Sequence, residues 1–252
     1  MTDGIPERLW RFKEETDSTS LRLKDDVLYA DGPLFAVYCA ARQTAGIGRE
    51  GRRFYSAAEG IYFSVSFPFE RTPPGLPLIT LFSGLAVSNV LAPYLKVTPG
   101  IKWPNDLMVG EKKLCGILAQ TVWRGGKPTV VLGVGVNTSA ARSDLPEELR
   151  DKVTSFAIEG LTPPVPEAFV RDAVSALDRL VYAENVLEGA LGGYLAELNR
   201  RNWLFGRTVA RTLTDGSAVA GTAGRITENG GLLVSTADGE TVQIEFGEIV
   251  PT

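Results

Sequence analysis

The chain has 252 residues, 44% hydrophobic and 22% charged, which is enough apolar material for a substantial core and the wrong balance for a disordered chain. A net charge of −4 gives no global attraction to nucleic acid or to an anionic membrane, so any basic site has to be local. Histidine is absent, which excludes Ser-His-Asp and Cys-His catalysis and histidine-ligated metal, and leaves the chemistry to lysine, arginine, carboxylates, amides and backbone.

Cys39 and Cys115 form no CxxC pair, so neither a zinc cluster nor a disulfide framework is suggested and a reduced cytoplasm fits. The start, MTDGIPERLWRFKEETDSTS, is too charged for a signal peptide, and no apolar run reads as long enough to span a bilayer.

In chain order, Leu9 to Lys13 reads as a short strand. Asp17, Ser18, Thr19 and Ser20 then offer caps for a helix carrying Leu21, Leu23 and Val27, although the same hydroxyls suit a ligand. Leu34 to Ala41 is an apolar run of strand length, in which Val37 and Tyr38 favour extended chain. It runs into RQTAGIGREGRRFYS (Arg42 to Ser56), a glycine-bearing loop with four arginines against one acid, Glu50. Guanidinium forks beside exposed N–H groups suit a carboxylate or phosphate.

Gly46 to Gly51 is formally G-x-G-x-x-G, but no apolar stripe at helical spacing follows it, so a dinucleotide-binding fingerprint is rejected. Gly60 to Phe69 reads as a strand, and Leu78, Leu81, Phe82, Leu85 and Leu91 predict a helix with one buried face from about Pro77 to Pro93.

Two dense blocks follow, IKWPND (Ile101 to Asp106) and VGEKKLCGILAQ (Val109 to Gln120), read as a hairpin turning near Gly110 and Glu111. That pairing predicts Lys102 and Lys113 on neighbouring strands within reach of one anion. In the strand Thr129 to Asn137, Gly133 and Gly135 leave one face without side chains, against which either a flat ligand ring or a helix would pack. Two amphipathic segments, about Pro166 to Tyr182 and Glu184 to Arg201, come next, the second broken by glycines. From Gly206 short strands separated by DG, NGG and DG turns predict a small antiparallel barrel of about 45 residues, with a domain boundary near Trp203 to Gly206. Acidic residues outnumber its arginines, which argues against a phosphate-tracking surface.

The order ETDSTS, RQTAGIGREGRR, KWPND, KKLCGIL, GVGVN and a terminal small barrel closely resembles the biotin protein ligases over nearly the whole chain. That resemblance implies an α+β fold: a mixed-sheet biotin/lipoate ligase-like catalytic domain over residues 1–204 and an SH3-like β-barrel over 205–252. The motifs begin within the first twenty residues, which implies the monofunctional form, with no N-terminal DNA-binding domain and no operator DNA as partner. Relatives that pair through the catalytic sheet make a homodimer a candidate assembly.

The activity implied is ATP-dependent formation of biotinyl-5′-AMP and transfer of biotin to a lysine of a carboxylase carrier domain, with ATP and biotin as substrates and Mg²⁺ as the nucleotide's cation. By motif, Ser18, Thr19, Ser20 and Gln43 match the segment that binds the biotin ureido ring. Ile47, Gly48, Arg49 and Arg52 match the loop that closes over biotin and adenylate, with Arg49 the partner of carboxylate or phosphate. Lys113, beside Gly116, matches the lysine at the biotin carboxyl, and Lys102 lies close by. Asn105 and Asp106 match groups that position ATP or Mg²⁺, and Asn137 the group that meets adenine.

Two departures stand out: Ile47 replaces an arginine of the usual GRGR loop, and Ser20 replaces a usual asparagine. They keep open a lipoate or octanoate ligase or transferase of the same superfamily, or a non-catalytic biotin-binding protein.

Overall fold

The computed structural model describes residues 7–56, 59–191, 193–212, 218–245 and 250–251. Strand β1 (Leu9–Thr16) is followed by helix α1 (Thr19–Tyr29), β2 (Ala36–Gln43), β3 (Gly60–Pro68) and α2 (Ile79–Leu91). Then come β4 (Gly100–Lys102), β5 (Asp106–Val109), β6 (Lys112–Arg124), β7 (Lys127–Asn137), α3 (Pro166–Asp178) and α4 (Tyr194–Arg200). The C-terminal part holds β8 (Thr208–Thr212), β9 (Ala218–Ile226), β10 (Leu232–Thr236), β11 (Thr241–Ile244) and β12 (Val250–Pro251).

The first seven strands form one mixed sheet, ordered β1-β2-β3-β7-β6-β5-β4, in which β1 and β2 are parallel and every other pair is antiparallel. The parallel pair exists because α1 carries the chain back across one face, where Leu23 and Val27 bury against Ala36, Tyr38, Val122 and Val131. On the opposite face α2 and α3 cover alternate residues such as Val37, Phe63, Val65, Leu132 and Val134.

Helix α2 corrects one expectation. With its flanking turns it makes a 19-residue helical run, Leu76–Tyr94, apolar and long enough by composition to cross a bilayer. Ile79, Phe82, Ser83, Leu85, Val87 and Ser88 are all buried, so the helix is apolar all round because it sits between the sheet and α3, not because it faces lipid. The second amphipathic segment is helical only as α4; Gly189, at φ +104, ends a single 3₁₀ turn before it.

The five C-terminal strands form an antiparallel sheet ordered β11-β10-β9-β8-β12. Among the described residues it is open, with β11 and β12 as its two edges, and the Asp215-Gly216 turn lies outside the described residues. Its buried side chains, including Val209, Ile226, Leu232, Val234 and Ile244, belong to the same core as α2 and α3. Trp103, 2% exposed, donates from Nε1 to the Gly230 carbonyl at 2.8 Å and so fastens the seven-stranded sheet to the NGG turn.

At the other end Arg8, just before β1, forms a buried ion pair with Asp178 at the close of α3. Nε lies 3.0 Å and 3.1 Å from the two carboxylate oxygens, Nη1 donates to the Ser66 carbonyl at 2.8 Å, and the guanidinium stacks 4.9 Å from the Phe67 ring centre. Removing one partner strands a charge in the core. Asp178→Ala should therefore lower stability by about 3–5 kcal/mol in a urea titration with unchanged slope; a loss within about 1 kcal/mol would show that the pair does not hold the edge strand.

Candidate active site

Strand register lays out the site. Lys102 pairs with Asp106, Asp106 with Gly116, Gly116 with Gly135, and Gly135 with Tyr62, so these residues form one row across the α1 face of the sheet. At Gly116 and Gly135 the row has no side chains, and a trough results. Phe54 lies in it: a Cβ on either glycine would come within 2.8 Å of the Phe54 ring, which meets Tyr62 edge-on at 6.2 Å. A flat ring does pack on the glycine strand at Gly135, and it is the protein's own. At Gly133 the other reading holds, because a Cβ there would be 2.5 Å from Ser20 Oγ on α1.

Lys113 overhangs the trough. A bulge between Leu107 and Met108 shifts its register, and residues 152–154 run beside it, with Lys113 N donating to Lys152 O at 2.8 Å and Thr154 N to Lys113 O at 2.9 Å. Its side chain crosses Gly116, where a Cβ would be 2.9 Å from both Cε and Nζ. Nζ sits 2.6 Å from Asp106 Oδ1, with the two side chains only 25% and 19% exposed, and 5.3 Å from the centre of the Phe54 ring. Screening is weak at that depth. The contact is an ion pair in which Asp106 Oδ1 gains no hydrogen bond, so the ammonium, with three donors, keeps capacity for a second anion.

One row along the same face the chemistry changes from charge to neutral hydroxyl and amide. Thr19 N donates to Gln43 Oε1 at 2.9 Å, and Ser64 Oγ lies 2.8 Å from Thr19 Oγ1 and 2.9 Å from Ser20 Oγ. Ser64 was not singled out in the sequence; the buried S-x-S of β3 is its only signal. Ser18 takes the structural role, as the N-cap whose Oγ accepts from Leu21 N at 3.4 Å.

The other expected residues divide. Asn105 Nδ2 donates to Ile117 O at 3.1 Å while the Asn105 backbone carbonyl accepts from Ile117 N at 2.9 Å, so it fastens the KWPND turn to β6. Asn137, 7% exposed, donates to Thr154 O at 3.1 Å and pins the segment beside Lys113. Lys102 and Lys113 are not on neighbouring strands, since β5 lies between β4 and β6. A third strand exists because Pro104 and Asn105 turn the chain, so KWPND spans a turn of its own.

The arginine loop folds on itself. Ile47 bridges Arg53, Gly48 N donates to Arg52 O at 2.7 Å, and Phe54 N to Gly46 O at 2.9 Å, with Arg49 in the 3₁₀ turn at the tip. Gly46 is required: a Cβ would lie 2.8 Å from Phe54 O and Ser56 Oγ. The loop is less cationic than its composition suggests. Arg42 lies 3.4 Å from both Glu14 and Glu15 and 3.6 Å from Glu59, and Arg52 lies 3.4 Å from Glu50.

Neither thiol takes part. Burial pushes Cys39 up to about 12 and Cys115 higher still. Cys39 faces a separate cavity of about 160 Å³ under α3, shared with Phe12, Ile61 and Val170, on the face opposite Lys113. At mildly alkaline pH a thiol reagent should label neither cysteine in the native protein and both after denaturation; native labelling would show that the sheet opens readily.

A trough floored by Gly116 and Gly135 and holding the Phe54 ring and the Lys113 stem, with a neutral hydroxyl and amide cluster beside it, offers on one face of an α+β sheet the groups that suit an amphipathic carboxylic acid. The Biotin/lipoate A/B protein ligase family matches residues 12–137. The biotin--[acetyl-CoA-carboxylase] ligase of Mycobacterium tuberculosis is 33% identical over 220 residues, 85% of this chain and 78% of that protein. The bifunctional ligase/repressor of Escherichia coli is 32% identical over 130 residues, 39% of its own length. Among solved structures, the biotin protein ligase from Aquifex aeolicus in complex with biotin and ATP superposes with a TM-score of 0.77 at 27% identity over 97% of both chains. The chain belongs to the biotin/lipoate A/B protein ligase family.

Gly135→Ala drives a methyl into the Phe54 ring. It should weaken biotin binding measured by calorimetry by about fivefold or more, the equivalent of the 1–3 kcal/mol that overpacking costs; unchanged affinity would place the ligand elsewhere.

Proposed function

We propose that the protein activates biotin with ATP as biotinyl-5′-AMP and transfers it to a lysine of a biotin carboxyl carrier domain. The carrying observation is the Lys113–Asp106 pair over the Gly116–Gly135 trough, next to the Thr19, Ser20, Gln43 and Ser64 cluster. A urea-type ring offers one carbonyl and two N–H groups. Neutral hydroxyls and an amide can match these without the desolvation cost of a charge. The carboxylate at the far end of the valeryl chain then meets the ammonium.

In the first half-reaction a biotin carboxylate oxygen attacks the α-phosphorus, the bond to the bridging oxygen breaks and pyrophosphate leaves. In the second, the carrier lysine's amine attacks the acyl carbon, AMP leaves and the amine gives up a proton. Both steps join or separate anions, so the chain's part is to hold reactants together and offset charge. Lys113 and Arg49 are assigned to carboxylate and α-phosphate, and Lys102 and Arg52 to the other phosphates. Ile47, Gly48 and Gly116 take the wall of the biotin slot.

Among the described residues no three metal-ligating side chains cluster. Mg²⁺ therefore fits as a part of the substrate MgATP, with the Asp106 carboxylate as a protein ligand available to it. For the C-terminal part we propose an SH3-like barrel over 205–252, a reading supported by the five-strand order with β12 paired to β8.

Isotopic pyrophosphate exchange tests the function. Exchange should depend on biotin; dependence on lipoate or octanoate alone would move the protein to the neighbouring activity, and none with any acid would make it a binding protein. Lys113→Ala should slow biotin-dependent exchange by about 10²–10³-fold, as loss of one charge-stabilising donor does, with its melting temperature preserved. Full activity would remove Lys113 from the reaction.

A further inference from the structure

Trp203 lies between α4 and β8, in the stretch that leads into the C-terminal sheet. Residues 201–203 run along the outer edge of β4: Ile101 N donates to Arg201 O at 2.8 Å and Trp203 N to Ile101 O at 2.9 Å. Its indole lies on β4, since a Cβ on Gly100 would be 3.0 Å from Trp203 Cδ1. Gly100 and Lys102 are two apart on one strand, so they share the face that carries Asp106 and Gly116. Lys102 Nζ sits 5.8 Å from the centre of that ring.

The ring itself is fixed from the C-terminal side. Arg207 stacks on it at 3.7 Å and grips Glu111 through both Nη atoms at 2.7 Å, and Trp203 Nε1 donates to Gly110 O at 2.8 Å.

We propose that Trp203 is a positioning residue that holds the Lys102 ammonium over the site face, and that through Arg207 the C-terminal sheet sets where this cation meets the nucleotide. A lysine has four rotatable bonds, and a cation-π contact removes part of that freedom before ATP arrives. This rests on the assignment of Lys102 to ATP phosphates, so the test measures that assignment separately.

The experiment is steady-state biotin-dependent pyrophosphate exchange on the full chain. Lys102→Ala should raise KM for ATP about tenfold or more and leave KM for biotin within about twofold, as loss of a phosphate-binding charge does. Trp203→Leu should raise KM for ATP about three- to tenfold, the size of a partly exposed cation-π contact, and Trp203→Phe should recover most of it. Glu111→Gln, on an exposed turn, frees Arg207 without touching the core and should shift KM for ATP in the same direction by a smaller factor.

In a Lys102→Ala background Trp203→Leu should add nothing. If Lys102→Ala alters KM for ATP while Trp203→Leu and Glu111→Gln do not, or if the Trp203 and Lys102 effects multiply, the positioning role is wrong and the ligase reading stands. If Lys102→Ala has no effect on KM for ATP, the assignment of Lys102 fails and this role with it.

Discussion

Everything at the site depends on the absence of side chains at two points that face each other across β6 and β7. Gly116 and Gly135 are register partners, and their missing Cβ atoms let the Lys113 stem and the Phe54 ring lie against the sheet rather than stand above it. An ammonium brought down to backbone level beside an aromatic ring acts through less water than one on a surface lysine, so its pull on an anion is screened less. The same seating brings Nζ within 2.6 Å of Asp106, whose position comes from its pairing with both Gly116 and Lys102. The row is rigid because it is a sheet register, and preorganised charge costs no rearrangement when the reaction occurs.

The two tryptophans explain why a C-terminal sheet belongs in this protein. Trp103 reaches through the core to the NGG turn, and Trp203 lies over β4 with Arg207 stacked on it. Both flank the short strand β4, which has only three residues and one strand partner in the sheet. Such a strand has little pairing of its own to hold it. The C-terminal sheet and the 201–203 segment supply the missing contacts, and with them the orientation of Lys102.

Much of this was legible in the sequence because the informative residues are backbone-demanding ones. Glycines in β7, the Gly110–Glu111 turn and the NGG turn announce themselves locally. What stayed hidden needed partners distant in the chain. Arg42 reads as a cation of the loop until Glu14, Glu15 and Glu59 are brought to it. KWPND reads as one arm of a hairpin because nothing local shows that Pro104 and Asn105 turn it into two strands. Asn105 and Asn137 read as ligand contacts, and the carbonyls that their amides also hold, Ile117 O and Thr154 O, are not visible locally. Phe54 was invisible for the same reason: the glycine its ring lies against, Gly135, is 135 − 54 = 81 residues further along the chain.

The two departures from the family pattern become intelligible in these terms. At position 20 a longer amide would have to fit where Ser20 Oγ already lies 2.5 Å from the Cβ position of Gly133 and bonds Ser64 at 2.9 Å. Ser20 and Ser64 form a hydroxyl pair there, and under the proposed function the ureido ring meets two short hydroxyls rather than one side-chain amide. At position 47 an isoleucine pairs with Arg53 across the loop, where a β-branched residue favours the extended backbone that the bridge needs. The loop gains local order and loses one cation. Under the proposed function its grip on a bound anion falls to Arg49, in the 3₁₀ turn at the tip, and Arg52, beside Glu50, on the hairpin that the Ile47–Arg53 bridge closes.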